Sequence, residues 1–252
     1  MTQTEKAHAF AALHRKGAPL VLYNIWDAGG AAALESAGAE AIATGSWSMA
    51  AAHGYQDGEM IPLEFVLHIV RRICAVVAAP VSVDFEGGYA TDTDGITANV
   101  QQLIRAGAVG LNFEDQVVGG KGLYPLEEQV LRIKAVRAAA RMEDMPLFIN
   151  ARTDLFLGGA PAGHAALVHQ AIDRAAAYAK AGADGFFVPG LTDPALIARI
   201  VERTHLPVNV MGMDGVTSIA DLAAVGVSRV SHGPAPYRDA IEDLTQRFAH
   251  LS

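Results

Sequence analysis

Four times along the chain a helical stretch closes on a small residue and a glycine, and a short apolar run begins within two or three positions. The four junctions are Ala37-Gly38-Ala39 before AIATGS, Ala106-Gly107-Ala108 before VGLNFED, Ala181-Gly182-Ala183 before DGFFVPG, and Val225-Gly226-Val227 before SRVSHG. Glycine can take the left-handed conformation that ends a helix, and a continuous apolar run after it reads as a parallel strand buried on both faces. Four further runs, at 20–25, 81–85, 147–151 and 208–211, each follow a proline: Pro19, Pro80, Pro146 and Pro207. Proline ends a preceding helix and starts an extended segment. The count is eight strands.

Between the strands the pattern predicts helices at 28–37, 62–78, 94–106, 125–141, 164–181, 193–203, 217–225 and 236–250, with Asp193-Pro194 supplying an N-cap and a proline at the first helical position. Strict strand–helix alternation over eight cycles predicts a closed (β/α)8 TIM barrel, with a doubly wound open sheet as the competing topology. The chain has 252 residues, close to the roughly 250 that such a barrel needs. No GxGxxG or GxxxxGK[ST] signature follows the first strand, and no composition break divides the sequence, so residues 1–252 are expected to form a single barrel domain.

Charge and cysteine content narrow the function classes. A formal net charge of −8 and the lack of any basic run argue against nucleic acid or an anionic membrane surface as partner. Cys74 is the single cysteine, which excludes an intramolecular disulfide and a multi-thiolate metal site. The longest apolar stretch, 73–83, is interrupted by Pro80 and falls short of the roughly 20 residues of a spanning helix. The first 16 residues lack the pattern of a signal peptide. A cytoplasmic protein acting on a small molecule is expected.

Barrel enzymes build their sites from the C-terminal ends of strands. There the sequence places Asn24 and Asp27, Ser46, Asp84 and Glu86, Glu114 and Asp115, Arg152 and Asp154, Pro189, Met211, and His232. Asp84 and Glu86 are two apart, so in an extended backbone they share a side, and the fourth strand can bring Glu114 beside them. Three converging carboxylates repel unless a cation holds them. Oxygen ligands completed by water fit Mg²⁺, or Mn²⁺ by the same chemistry, better than Zn²⁺. Asp115 reads instead as an ion-pairing or capping residue at the rim. Arg152 offers a planar fork for a substrate carboxylate or phosphonate, and equally a bridge to Asp154 or Glu114. Ser46 and the amides after it could hold an anionic group or merely form a tight turn. Lys6, Lys16, Lys121, Lys134 and Lys180 all fall on expected helices or loops, which argues against imine chemistry. His232 reads as an acid or base near the metal, or as structural.

These residues carry a resemblance. Asp84-Phe85-Glu86-Gly87-Gly88-Tyr89 resembles the D-x-[DE]-x-G-[YF] signature of the isocitrate lyase/phosphoenolpyruvate mutase superfamily, and Phe113-Glu114-Asp115-Gln116 and Asn150-Ala151-Arg152-Thr153-Asp154 resemble its two other strand-end motifs, in the same order. The resemblance implies a Mg²⁺-dependent barrel that acts on small 2-oxo or 2-hydroxy carboxylates through an enolate. It implies Asp84 as the direct metal ligand, Glu86 and Glu114 acting largely through water, and Asp57 as an active-site aspartate on the loop after the second strand. It also implies Ser46 and Trp47 as amide donors to the substrate carboxylate, and Arg152 as the binder of an anionic group. The loop at 117–125, VVGGKGLYP, lacks the cysteine of the KKCGH-like segment in isocitrate and methylisocitrate lyases, and lacks the asparagine-bearing gate of the phosphonate mutases. The expected activity is therefore cleavage of a C–C bond in an oxaloacetate-like acid, with P–C mutase or hydrolase chemistry and a non-catalytic binding relic as alternatives. A homodimer or homotetramer is implied, with exchange of a C-terminal helix left open.

Overall fold

The computed structural model describes residues 1–212 and 218–251. Eight strands appear in the expected places: β1 (Leu20–Leu22), β2 (Ile42–Ala43), β3 (Val81–Asp84), β4 (Gly110–Glu114), β5 (Phe148–Arg152), β6 (Gly185–Phe187), β7 (Val208–Met211) and β8 (Arg229–Ser231). They pair in parallel in the order β1-β8-β7-β6-β5-β4-β3-β2. The seam between β1 and β2 is closed by a bridge from Ile25 to Thr44. Sequence neighbours are sheet neighbours throughout, so no switch point exists and the open-sheet alternative is excluded. The sheet is a nearly closed (β/α)8 barrel. Gly38, Gly107, Gly182 and Gly226 all adopt positive φ, as the repeat requires.

Eight helices match the expected set: α2 (Ala28–Ser36), α4 (Leu63–Val76), α5 (Thr93–Arg105), α6 (Leu126–Met142), α7 (His164–Ala181), α8 (Pro194–Arg203), α9 (Ile219–Ala224) and α10 (Ala235–Ala249). Thr217, the expected first residue at 217–225, lies outside the described residues. Two helices were not foreseen, α1 (Gln3–Ala12) and α3 (Ser46–Ala52). A capping box between Thr2 and Glu5 starts α1. The helix lays Phe10, fully buried, across the N-terminal mouth of the barrel. A Cβ at Gly110 would sit 2.8 Å from the Phe10 ring, so glycine on β4 makes room for this plug. Phe10 meets Phe148 edge-on with ring centroids 5.5 Å apart, and His14 stacks on Phe148 at 4.0 Å.

The bottom of the barrel lumen is apolar. Phe10, Leu20, Leu22, Ala43 and Phe148 belong to one cluster there. Above them the buried inward positions are polar: Asn112, Asn150, Asn209, Arg229 and Ser231. The larger core lies outside the sheet, where amphipathic helices such as α4 press Val66, Leu67, Val70 and Ile73 against the strands. The exception is α10, in which only Pro236 is buried.

Candidate active site

The C-terminal strand ends surround a pocket of about 170 Å³, with Ser46, Asp57, Asp84, Asn112 and Arg152 on one side and Leu157, Phe187, Pro189 and Met211 on the other. Asp84 ends β3 and is held from three directions. Its Oδ2 accepts from the Ser46 amide at 3.2 Å and the Ser46 hydroxyl at 2.8 Å, and its Oδ1 accepts from Asn112 Nδ2 at 3.1 Å. Ser46 is the first residue of α3, not part of a tight turn, and both of its donors are committed to Asp84. Trp47 follows it in the first turn of α3, on the pocket wall.

Arg152, at the end of β5, is tied by acids. Its Nε and Nη2 make a fork with the two carboxylate oxygens of Asp154 at 2.6 and 2.8 Å. Its Nη1 lies 2.8 Å from Glu114 and 3.8 Å from Asp84. The bridging reading of Arg152 thus holds, and the residue also lines the pocket. Burial opposes its charge, but Glu114, Asp154 and Asp84 hold its pKa well above the ordinary range. Burial also raises the carboxyl of Glu114, with Arg152 pulling the other way.

Glu86 departs from the extended geometry. β3 ends at Asp84, and Glu86 adopts φ 48°, so the two side chains do not simply share a strand face. The Glu86 carboxylate turns behind the pocket and accepts from the Glu59 amide at 2.9 Å. Burial, reinforced by Asp57, Asp84 and Glu59, pushes its pKa up to about 8. Asp57 lies on the pocket wall and is raised first by burial and then by Asp84.

Asp115 is an ion-pairing residue, though wholly buried instead of at the rim. It accepts from Arg174 at 3.0 Å, Tyr178 at 2.8 Å and the Asp154 amide at 3.0 Å. His232 follows strand alternation past β8. Ser231 lines the pocket, and the next residue turns away, placing its ring beside Tyr23, 5.4 Å between centroids, and not in the lining. Cys74 sits in α4 with its thiol pushed up to about 11 by burial, remote in kind from a catalytic thiolate.

Arg132 and Glu59 escaped the sequence reading, and Asn24, already placed at a strand end, takes a joining role. Asn24 accepts from the amides of His232 and Gly233 at 2.9 Å each, joining β1 to the turn after β8. Arg132 of α6 donates to the carbonyls of Gly87, Ala90 and Thr91 and lies 4.1 Å from the Tyr124 ring centre, clamping the loop after β3. Glu59 accepts from the Tyr89 amide at 2.7 Å on the same loop.

The donor chemistry fits a hard divalent cation. Asp57, Asp84, Glu114 and Asp154 interact with Arg152, and Glu86 lies against Asp57 and Asp84, so acids outnumber cations at the pocket floor. Among the described residues no three acid, histidine or cysteine side chains converge tightly enough to hold an ion by themselves. Asp84 would hold the ion directly, and Glu86 and Glu114 would act through water.

These features define a (β/α)8 barrel with an acid-rich pocket at the strand ends, the place where barrel enzymes carry their chemistry. Residues 10–252 match the phosphoenolpyruvate phosphomutase family. The chain belongs to that family, within the isocitrate lyase/phosphoenolpyruvate mutase superfamily. It is 32% identical to 2-methylisocitrate lyase of Escherichia coli, over 79% of this chain and 67% of the relative. It is 31% identical to oxaloacetate decarboxylase of Bradyrhizobium diazoefficiens, over 79% and 68%. A crystal structure from Burkholderia cenocepacia, described only provisionally as a phosphonomutase, superposes with a TM-score of 0.97 at 43% identity, covering 99% of this chain and 100% of that one.

Proposed function

We propose that the chain is a Mg²⁺-dependent lyase or decarboxylase that cleaves a C–C bond in a small 2-oxo or 2-hydroxy carboxylate of the oxaloacetate kind. The observation that carries this reading is Asp84, fixed by three donors at the floor of a pocket whose far wall is apolar. When bound, Mg²⁺ (or Mn²⁺) would supply the positive charge that offsets the enolate oxygen left by cleavage. The chain's own groups do the rest. The Trp47 amide and the Arg152 guanidinium orient the substrate carboxylate. Asp57, whose carboxyl is raised by burial, moves the proton to the carbon left by the departing group. Leu157, Phe187 and Met211 exclude water from the enolate.

The similarity to a provisionally described phosphonomutase favours a second reading, P–C mutase or hydrolase chemistry. A phosphonate brings more negative charge into a pocket where Arg152 is the sole cationic lining residue described, already engaged by three acids, so the C–C reading is preferred. The protein is further proposed to work as a homodimer or homotetramer. Ile241, Leu244 and Phe248 of α10 form an exposed apolar stripe, and Val21 and Tyr23 leave the outer side of β1 bare. A second copy supplies matching apolar cover for both.

The test incubates the protein and an Asp84→Asn variant with oxaloacetate, substituted malates and phosphonopyruvate, with and without Mg²⁺, following product release. Turnover that needs Mg²⁺ and Asp84 is expected. Absence of turnover, together with a melting temperature indifferent to Mg²⁺, would leave the binding-relic alternative in its place.

A further inference from the structure

Arg229 is the largest of the fully buried side chains, and it sits in the lumen of the barrel, not on its surface. Among the described residues it forms no ion pair, and its Nη1 has no hydrogen-bond partner. Its Nε reaches Ser231 Oγ at 3.3 Å, and its Nη2 crosses the lumen from β8 to Asn112 Oδ1 on β4 at 3.2 Å. Burying a guanidinium with no carboxylate in hydrogen-bond contact is costly, and a methionine or leucine would fill the space without that cost. A barrel that keeps it there gains something other than stability.

The gain is legible in the hydrogen bonds above it. Asn112 Oδ1 accepts from both Arg229 and Asn150 Nδ2, the latter at 2.8 Å, and Asn112 Nδ2 donates to Asp84 Oδ1. A primary amide can turn over and exchange its donor and acceptor ends, and the two asparagines could do so together. Arginine cannot, because it only donates, and although burial lowers the Arg229 pKa to about 9 it stays charged at neutral pH. Arg229 at one end of the path and the Asp84 carboxylate at the other are the two groups of fixed polarity. With Arg229 in place, turning the Asn112 amide over would set donor against donor below and acceptor against acceptor above.

We infer that Arg229 is a positioning residue: by fixing the polarity of the Asn112 amide it holds the Asp84 carboxylate in the orientation that faces the pocket. Ser46 fixes the other oxygen, so the plane of the carboxylate is set from both sides before any ligand arrives. The inference rests on the reading of Asp84 as the residue that holds the divalent ion.

The test is Mn²⁺ binding to the purified protein, measured from the free-ion paramagnetic signal, with melting temperatures recorded in parallel. The set is the unaltered protein, Arg229→Met, Asn112→Leu, the two combined, Arg229→Lys and Asp84→Asn. Arg229→Met and Asn112→Leu are each expected to weaken Mn²⁺ binding about tenfold, which is about 1.4 kcal/mol. The combined variant is expected to be no weaker than Asn112→Leu alone, since both changes break one path. Arg229→Lys, which keeps a charged donor, recovers part of the loss and serves where Arg229→Met does not fold. A melting temperature lowered by Arg229→Met with Mn²⁺ affinity unchanged, or fully additive effects in the combined variant, overturns the inference while Asp84→Asn still abolishes binding. Mn²⁺ affinity unchanged in Asp84→Asn overturns the reading of the site itself.

Discussion

Replacing Phe10 by alanine tests whether α1 is part of the barrel or an appendage to it. The side chain is completely buried, meets His14 and Phe148 edge-on at 4.8 and 5.5 Å, and fills the space that glycine leaves open at position 110. Removing a buried phenylalanine ring costs about 3–5 kcal/mol, from the lost transfer free energy and the cavity that remains. The upper part of that range is expected, because Gly110 has no side chain with which to collapse into the hole. Set against a total stability of about 5–15 kcal/mol, the loss is large. At about 2–4 °C per kcal/mol for a chain of this size, the melting temperature falls by about 6–20 °C. Urea and thermal unfolding followed by circular dichroism measure it. A cost below about 1 kcal/mol would refute the plug, since it would place Phe10 among surface substitutions.

His14, beneath Phe148, has its pKa pushed down to about 3 by burial and by Arg229, against an ordinary value of 6.5. Below pH 6.5 the unfolded chain takes up a proton that the folded one refuses, so stability is full above that pH and falls on acidification. Between about pH 6 and pH 5 the slope rises from about 1 to about 1.3 kcal/mol per pH unit, and urea midpoints of His14→Phe should lack that share of the acid sensitivity. Arg174→Met leaves the fully buried Asp115 without its cation and is expected to cost about 3–5 kcal/mol in chemical denaturation, whereas Arg174→Met combined with Asp115→Asn recovers part of it. Leu244→Glu with Phe248→Glu in α10 is expected to shift the mass measured by light scattering toward the single chain, while an unchanged mass would show that this stripe is not the contact.

The barrel was legible because its punctuation is chemical. Glycines at 38, 107, 182 and 226 and prolines at 19, 80, 146 and 207 mark the strand starts independently of tertiary packing. Helix α1 was missed because its signal is a capping box, Thr2 with Glu5, not an apolar face. Helix α3 was missed because it follows β2 after only two residues, so Ser46-Trp47-Ser48 read as a turn when the following alanines already favoured a helix. Asp84, Glu86, Glu114 and Asp154 were placed by strand-end position and Asp57 by the resemblance, but their orientation was not legible. Glu86 precedes two glycines, and the chain turns left-handed at Glu86 itself, which ends the alternation that extended geometry would have continued. His232 lies one position beyond Ser231, and continued alternation turns its ring toward Tyr23. Arg229 was invisible because a charged residue in an apolar run ordinarily marks an edge or a surface, and only the assembled lumen shows that its neighbours are amides.

The clamp made by Arg132 has a mechanical consequence. One guanidinium donates to the carbonyls of Gly87, Ala90 and Thr91, and its own α6 is a seventeen-residue helix fixed against α5 and α7. Each hydrogen bond to a charged group is worth about 1.5–3 kcal/mol, so lifting this segment means breaking several such bonds at once. The acid-bearing side of the pocket therefore behaves as a wall cast with the barrel. A substrate that does not match its contour is met by stiffness there, not by adjustment, and discrimination on that side is a matter of fit at first contact.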